Sequence, residues 1–295
     1  MSRLQANILL LLAALVWGLG NIAHKTILTH LDPFAAVGLT CLIGGLVVLP
    51  LVGGERKRPT EPGWPASLCR VTALFFVGMV MQQIAYVEAS VTNASFLIST
   101  YTVMTPAAAW LMFRERPGAY LLLAAAFTLA GSFLMSGGLS GVIARADLLA
   151  LLAAACFSVW TVELGRHLRL HGRPFMTAAT QFLATGAIIL PFSAAHGDLP
   201  LEGVIASWPE LVVLGVFSTG VGFGIQTFAQ CYTSASHAAI ITSAEAVFAA
   251  LAAGAWLGER LDVAGTWGAC LIFAAVLLVA TVGERTAKSP SVGIP

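Results

Sequence analysis

The sequence predicts an all-α integral membrane protein: ten transmembrane helices forming two inverted five-helix repeats, with both termini cytoplasmic. Three observations carry this expectation. Charged residues are 10% of the 295-residue chain and apolar residues 58%, with a mean hydropathy of +0.87; a soluble protein needs about 25% charged residues to face water. Apolar runs of about 20 residues, the length that crosses a bilayer as a helix, recur along the whole chain. The second half, finally, repeats the first.

The predicted spans are residues 6–28, 34–52, 67–89, 93–113, 118–137, 147–167, 175–194, 209–232, 237–257 and 263–283. The first lies in "MSRLQANILLLLAALVWGLGNIAHK". It starts basic, as a signal peptide does, but runs on for about 20 apolar residues with no small-x-small cleavage site directly after a short core, so it reads as a spanning helix. Asp32-Pro33 opens the second span and Gly53-Gly54 closes it. Arg116-Pro117, Gly137-Gly138, Arg173-Pro174 and Trp208-Pro209 punctuate the later boundaries. The longest connection, residues 53–66, is too short for a soluble domain. Residues 286–295 are polar and read as a disordered cytoplasmic tail.

Orientation follows from the basic residues. With the N-terminus inside, the cytoplasmic side takes Arg3, Arg56, Lys57, Arg58, Arg70, Arg114, Arg116, Arg166, Arg169, Arg173, Arg285 and Lys288; the other side takes Lys25, Arg145 and Arg260. The net charge of +1 builds no basic face for nucleic acid. Cys41, Cys69, Cys156, Cys231 and Cys270 lie in or beside apolar runs without a CxxC pair, and read as small hydrophobes.

A shift of 144 lays "NASFLISTYTVMTPAAAWLMFRER" (93–116) over "HAAIITSAEAVFAALAAGAWLGER" (237–260). Ala94, Ser99, Val103, Ala108, Ala109, Glu115 and Arg116 fall on Ala238, Ser243, Val247, Ala252, Ala253, Glu259 and Arg260. In the earlier helices a shift of 141 matches Pro33-Phe34 to Pro174-Phe175, Pro50 to Pro191 and Lys25 to Arg166. Five spans per unit is an odd number, so the second unit (146–285) enters the membrane opposite to the first (1–145). That is the inverted repeat from which alternating-access transporters are built, and it explains why Arg260 breaks the charge rule.

The chain resembles the drug/metabolite transporter superfamily in its EamA-type branch of ten-helix exporters. The likeness is carried by the two Glu-Arg endings, "AWLMFRER" and "AWLGER", each followed by a helix with a small-residue centre ("LAGSFLM", "IFAAVLL"), and by the opening "LLAALVWGLGNIAHK". It covers nearly the whole chain. The family's usual proline, thirteen residues before the Glu, is replaced here by Thr102 and Ala246, and Pro106 stands in the first half alone. Within the superfamily the chain is most similar to YddG-type exporters of amino acids, aromatic ones included. The resemblance implies a multi-pass protein of the bacterial inner membrane.

Polar residues inside the apolar runs nominate the site. A carboxylate at mid-membrane costs about 2.5–3.5 kcal/mol on insertion scales, and Glu245 lies about 13 Å along its helix, too deep to snorkel. The 144 shift places Glu245 on Tyr101, Gln226 on Gln82 and Gln230 on Tyr86. The third and eighth spans, which carry the last two of these pairs, therefore each present an i,i+4 polar stripe. Such matched stripes imply one central hydrated cavity; a polar clasp between helices is the structural alternative. Trp17 and Asn21 sit i,i+4 on the first helix, and Trp160 either packs or stacks on substrate. Glu163 is expected to pair with Arg166 or His167, with substrate contact as its other reading. His24 and Lys25 read as interfacial anchors. Glu115 and Glu259 end their helices, where the macrodipole disfavours them, and the adjacent Arg116 and Arg260 are their expected partners in a structural clamp.

"GLGNIA" (18–23) mimics a dinucleotide fingerprint but sits in a spanning helix, and "GVGFG" (220–224) has no lysine nearby; both read as close packing or local unwinding. None of Lys25, Lys57 and Lys288 follows a glycine, so no Walker A exists. No HExxH or GxSxG is present either. The expectation is a non-enzymatic secondary transporter with no cofactor and no ATP-binding subunit. It exports amino acids or similar small metabolites across the bilayer. The alternative is a proton-coupled exporter of cationic or lipophilic drugs.

Overall fold

With no water in a bilayer core, each segment must close its own backbone hydrogen bonds. In the computed structural model, which describes residues 1–56, 61–88, 91–136, 145–195, 199–257 and 261–288, every regular element among those residues is helical. In chain order these are α1 (Arg3–Thr26), α2 (Pro33–Val48), α3 (Trp64–Glu88), α4 (Val91–Ser99), α5 (Tyr101–Phe113), α6 (Ala119–Met135), α7 (Arg145–His171) and α8 (Pro174–Ala195). The short α9 (Leu201–Ala206) and α10 (Trp208–Leu211) follow. A π-helix (Val212–Phe223) leads into α11 (Gly224–Ala229), then α12 (Ala235–Thr242), α13 (Glu245–Leu257) and α14 (Val263–Lys288). Among the described residues, nine stretches are long and apolar enough to cross a membrane, and Ala119–Met135 is a shorter apolar tenth. This matches the predicted ten-helix architecture.

Local chemistry sets the helix starts. Ser2 and Gln5 form a reciprocal capping box at α1. Asp32 caps α2 by accepting from the amides of Phe34 (2.8 Å) and Ala35 (3.2 Å), and also accepts from the Ser193 hydroxyl of α8 (2.9 Å). The α8 start receives a carboxylate from elsewhere: Glu55, just past α2, accepts from the Met176 amide at 2.8 Å. The α2–α8 pair is thus tied at both ends by an acid on a helix N-terminus.

The structure departs from the predicted spans in four places. The fourth and ninth spans are each broken rather than continuous, α4 from α5 at Thr100 and α12 from α13 at Ser243-Ala244. Hydroxyls take the carbonyls that a continuous helix would use: Ser99 donates to Phe96 O, Thr100 to Leu97 O and Ser243 to Ile240 O. The backbone tightens there into i→i+3 bonds, Val103 to Thr100 and Ala246 to Ser243 among them. The eighth span is a π-helix over Val212–Phe223, so "GVGFG" is wound wide rather than unwound. The "GLGNIA" stretch remains inside the unbroken α1. The last helix runs on to Lys288, into the expected tail, and residues 289–295 lie outside the described ones.

Two close approaches hold the bundle together. A Cβ on Gly131 of α6 would sit 2.5 Å from Gly268 O of α14, and one on Gly268 would sit 2.5 Å from Gly131 O. These helices cross backbone to backbone, as small residues permit in membranes. A Cβ on Gly18 would lie 2.7 Å from Glu245 O and 2.8 Å from the Ala249 amide, so α1 rests directly on the start of α13. Between them, Phe75, Phe157, Trp160, Phe182 and Phe223 form the aromatic part of the main core.

Candidate functional site

The two helix breaks face each other across the bundle. The Tyr101 hydroxyl meets that of Thr242 at 2.5 Å, and Thr102 Oγ1 donates to Ala239 O at 3.4 Å, so α5 and α12 are joined side by side. Around this junction lies a cavity of about 820 Å³, counted to its open mouth. Eight of the ten nominated residues line it: Trp17 and Asn21 from α1, Gln82 and Tyr86 from α3, Tyr101 from α5, Trp160 from α7, Gln226 from α11 and Glu245 from α13. Two of the three matched pairs, Tyr101 with Glu245 and Gln82 with Gln226, meet in this one space.

The break explains how the membrane tolerates Glu245. It is the first residue of α13, where the helix dipole favours negative charge. Asn21 of α1 lines the same cavity as its carboxylate. Apolar walls come from Met79, Ile98, Phe157 and Phe223. Trp17 donates through Nε1 to Ser218 O of the π-helix (3.0 Å), and Gly222 leaves room for the indole. Trp160 packs, its Nε1 donating to Gln181 Oε1 (3.0 Å) and its ring 5.6 Å from Phe75, and it also lines the cavity.

Two nominated residues stand outside the cavity lining. Gln230 is fully buried, with Nε2 donating to Thr161 O at 3.4 Å and Oε1 lacking a hydrogen-bond partner. Glu163 is buried in the wall of α7 and pairs with Arg70 Nε of α3 at 3.7 Å. That corrects the expected pairing with Arg166 or His167. Arg166 instead lies over the Phe113 ring (4.5 Å), and His167 is held between the hydroxyls of Ser67 (2.9 Å) and Thr177 (3.1 Å). The expected clamp at Glu115 is corrected likewise: its carboxylate accepts from Arg169 Nη2 at 3.1 Å, while Arg116 is exposed. Glu259 and Arg260 lie outside the described residues.

The site also contains residues the sequence did not nominate. Ser99 and Ser243 line the cavity at the breaks, and their match in the repeat was the available signal. His24 lines it too, rather than anchoring an interface. Lys25 caps the end of α3, with Nζ donating to Tyr86 O (2.6 Å) and Val87 O (3.1 Å). Phe157 and Phe223 carry no sequence signal, because an aromatic in an apolar run looks the same on a lipid face as on a cavity wall. Among the described residues, no cluster of His, Cys, Asp and Glu has the makings of a metal site.

The comparisons agree with this architecture. The model of the EamA-like transporter family matches twice, over residues 4–137 and 144–281. An uncharacterized transporter of Archaeoglobus fulgidus is 31% identical over 282 residues, covering 94% of this chain and 86% of the relative. An uncharacterized transporter of Clostridium kluyveri is 23% identical over 274 residues, covering 88% of each. A crystal structure superposes with a TM-score of 0.77 at 21% identity, over 98% of this chain and all of the other, which speaks for the fold. Matched almost end to end by two copies of the family model, the chain belongs to the EamA-like transporter family of the drug/metabolite transporter superfamily.

Proposed function

We propose that this membrane transporter is a secondary exporter of amino acids, aromatic ones included, and of related small metabolites. It works by alternating access through the cavity between its two repeats, residues 1–145 and 146–285. Both termini face the cytoplasm of a bacterium whose inner membrane the protein spans, and residues 286–295 form a cytoplasmic tail. The observation that carries the reading is the placement of one carboxylate, Glu245, at a half-helix start inside an otherwise neutral and aromatic-walled cavity. An ammonium group is the natural partner of that carboxylate. Gln82 and Gln226 add amide dipoles, and the rings of Trp17, Tyr101 and Trp160 offer faces for a cation or a flat side chain. No ATP-binding subunit is required, because a substrate or proton gradient drives the exchange.

The same features favour a second reading, export of lipophilic cations, for which one carboxylate among aromatic rings suffices. Purified protein reconstituted in proteoliposomes and challenged with the proteinogenic amino acids and with lipophilic cations, with and without a pH gradient, separates the two. Uptake of amino acids supports the first reading; uptake of cations alone replaces it with the second.

A further inference from the structure

We infer that His24 is a specificity-determining residue, whose protonation adds a positive charge to the cavity and thereby shifts its choice between zwitterions and cations. This rests on the reading of the cavity as the substrate site. Among the described lining residues no lysine or arginine appears, and Glu245 is the only acid. His24 is the only lining group that is able to become a cation near neutral pH.

The ring is held in one tautomer. Gln83, buried on α3, clasps His24 twice: its Nε2 donates to His24 O (3.0 Å) and its Oε1 lies 3.0 Å from Nδ1. The first bond fixes which end of the amide is oxygen, and an amide oxygen only accepts, so Nδ1 carries a hydrogen. Exchange with solvent protons is then confined to Nε2. Tyr86, itself a lining residue, stacks on the imidazole at 5.5 Å with planes 9° apart, which fixes its orientation. Among the described residues, the charged and titratable groups around it are Lys25 on its own helix, Tyr86 on α3 and Glu245 across the cavity; α4 contributes none.

With Nε2 bare, the cavity holds one negative charge and favours a monocation. With Nε2 protonated, it holds one charge of each sign, matching an ammonium at Glu245 and a carboxylate at His24. The test compares L-phenylalanine with phenethylamine, the same molecule without its carboxylate, as competitors for uptake in proteoliposomes. Both present an ammonium to Glu245, and the His24→Asn variant measures what titration of Glu245 itself adds to the ratio of their affinities. In the wild type the preference for phenylalanine should rise about tenfold as the pH falls from about 8 to about 4.5. His24→Asn should lose most of that rise, and His24→Lys should show the acidic ratio already at about pH 8. A purely structural role would not move the ratio in opposite directions. If both compounds compete and the His24→Asn ratio follows pH as the wild type does, the assignment to His24 is overturned while the substrate site stands. If neither compound competes in the wild type, the substrate-site reading falls and this one with it.

Discussion

Tyr101 and Glu245 occupy the same position in the two halves of the chain, each the first residue of a helix that restarts after a break inside the bundle. The tyrosine hydroxyl is tied to Thr242, just before the opposite break, while the carboxylate lines the cavity. One ancestral position has thus become a neutral strut in one half and a charge in the other.

Glutamine 82 and glutamine 226 are the matched amides on the cavity wall, and Gln226 Oε1 has no hydrogen-bond partner. An amide oxygen bonded to an ammonium contributes about 1.5–3 kcal/mol. Gln226→Ala should therefore raise the apparent KM by at least about tenfold, with the melting temperature unchanged. A large loss of melting temperature with an unchanged KM would assign the residue to packing instead.

Gly18 should not tolerate a side chain. A Cβ there meets backbone atoms of α13 at 2.7 and 2.8 Å, and backbone cannot rotate aside. Overpacking of this kind costs about 1–3 kcal/mol. Gly18→Val should lower the thermal midpoint in detergent and weaken transport, because the start of α13 carries Glu245. Gly131→Val should lower the midpoint without this direct connection to the cavity.

Glu115–Arg169 and Glu163–Arg70, two ion pairs at the end of the bundle away from His24, should differ in weight. Glu115 and Arg169 are both about half exposed, and such pairs contribute about 0–1 kcal/mol. Glu163 is only 8% exposed, so removing Arg70 leaves a buried charge without its partner. Thermal melts of Arg169→Ala and Arg70→Ala should show little change for the first and a clear drop for the second.

The span count was legible because a membrane imposes one length and one polarity on every helix, and the repeat was legible because Glu-Arg endings and mid-helix polar residues recur at one spacing. Those same rules put eight of the ten nominated residues in one cavity. What the sequence hid has a physical pattern. Ser99, Thr100 and Ser243 are compatible with a continuous helix, so the breaks depend on tertiary packing that rewards hydroxyl-to-carbonyl bonds. The π-helix changes the winding without changing the polarity. Glu163 chose Arg70 on a distant helix over neighbours one turn away, because a buried acid pairs with whatever cation the packing delivers. His24 looked like an anchor because its depth suggested an interface; its contact with Gln83 bridges two helices and leaves no local pattern.

Glu245 remains the centre of the account, and the most direct measurement is uptake of the identified substrate into proteoliposomes by wild-type protein and by Glu245→Gln across a range of pH. The substitution keeps the volume and removes the charge, so the variant should express and melt like the wild type yet lose transport or change which compounds it accepts. Wild-type rates and selectivity in Glu245→Gln at every pH would contradict the claim that this carboxylate works in the cavity.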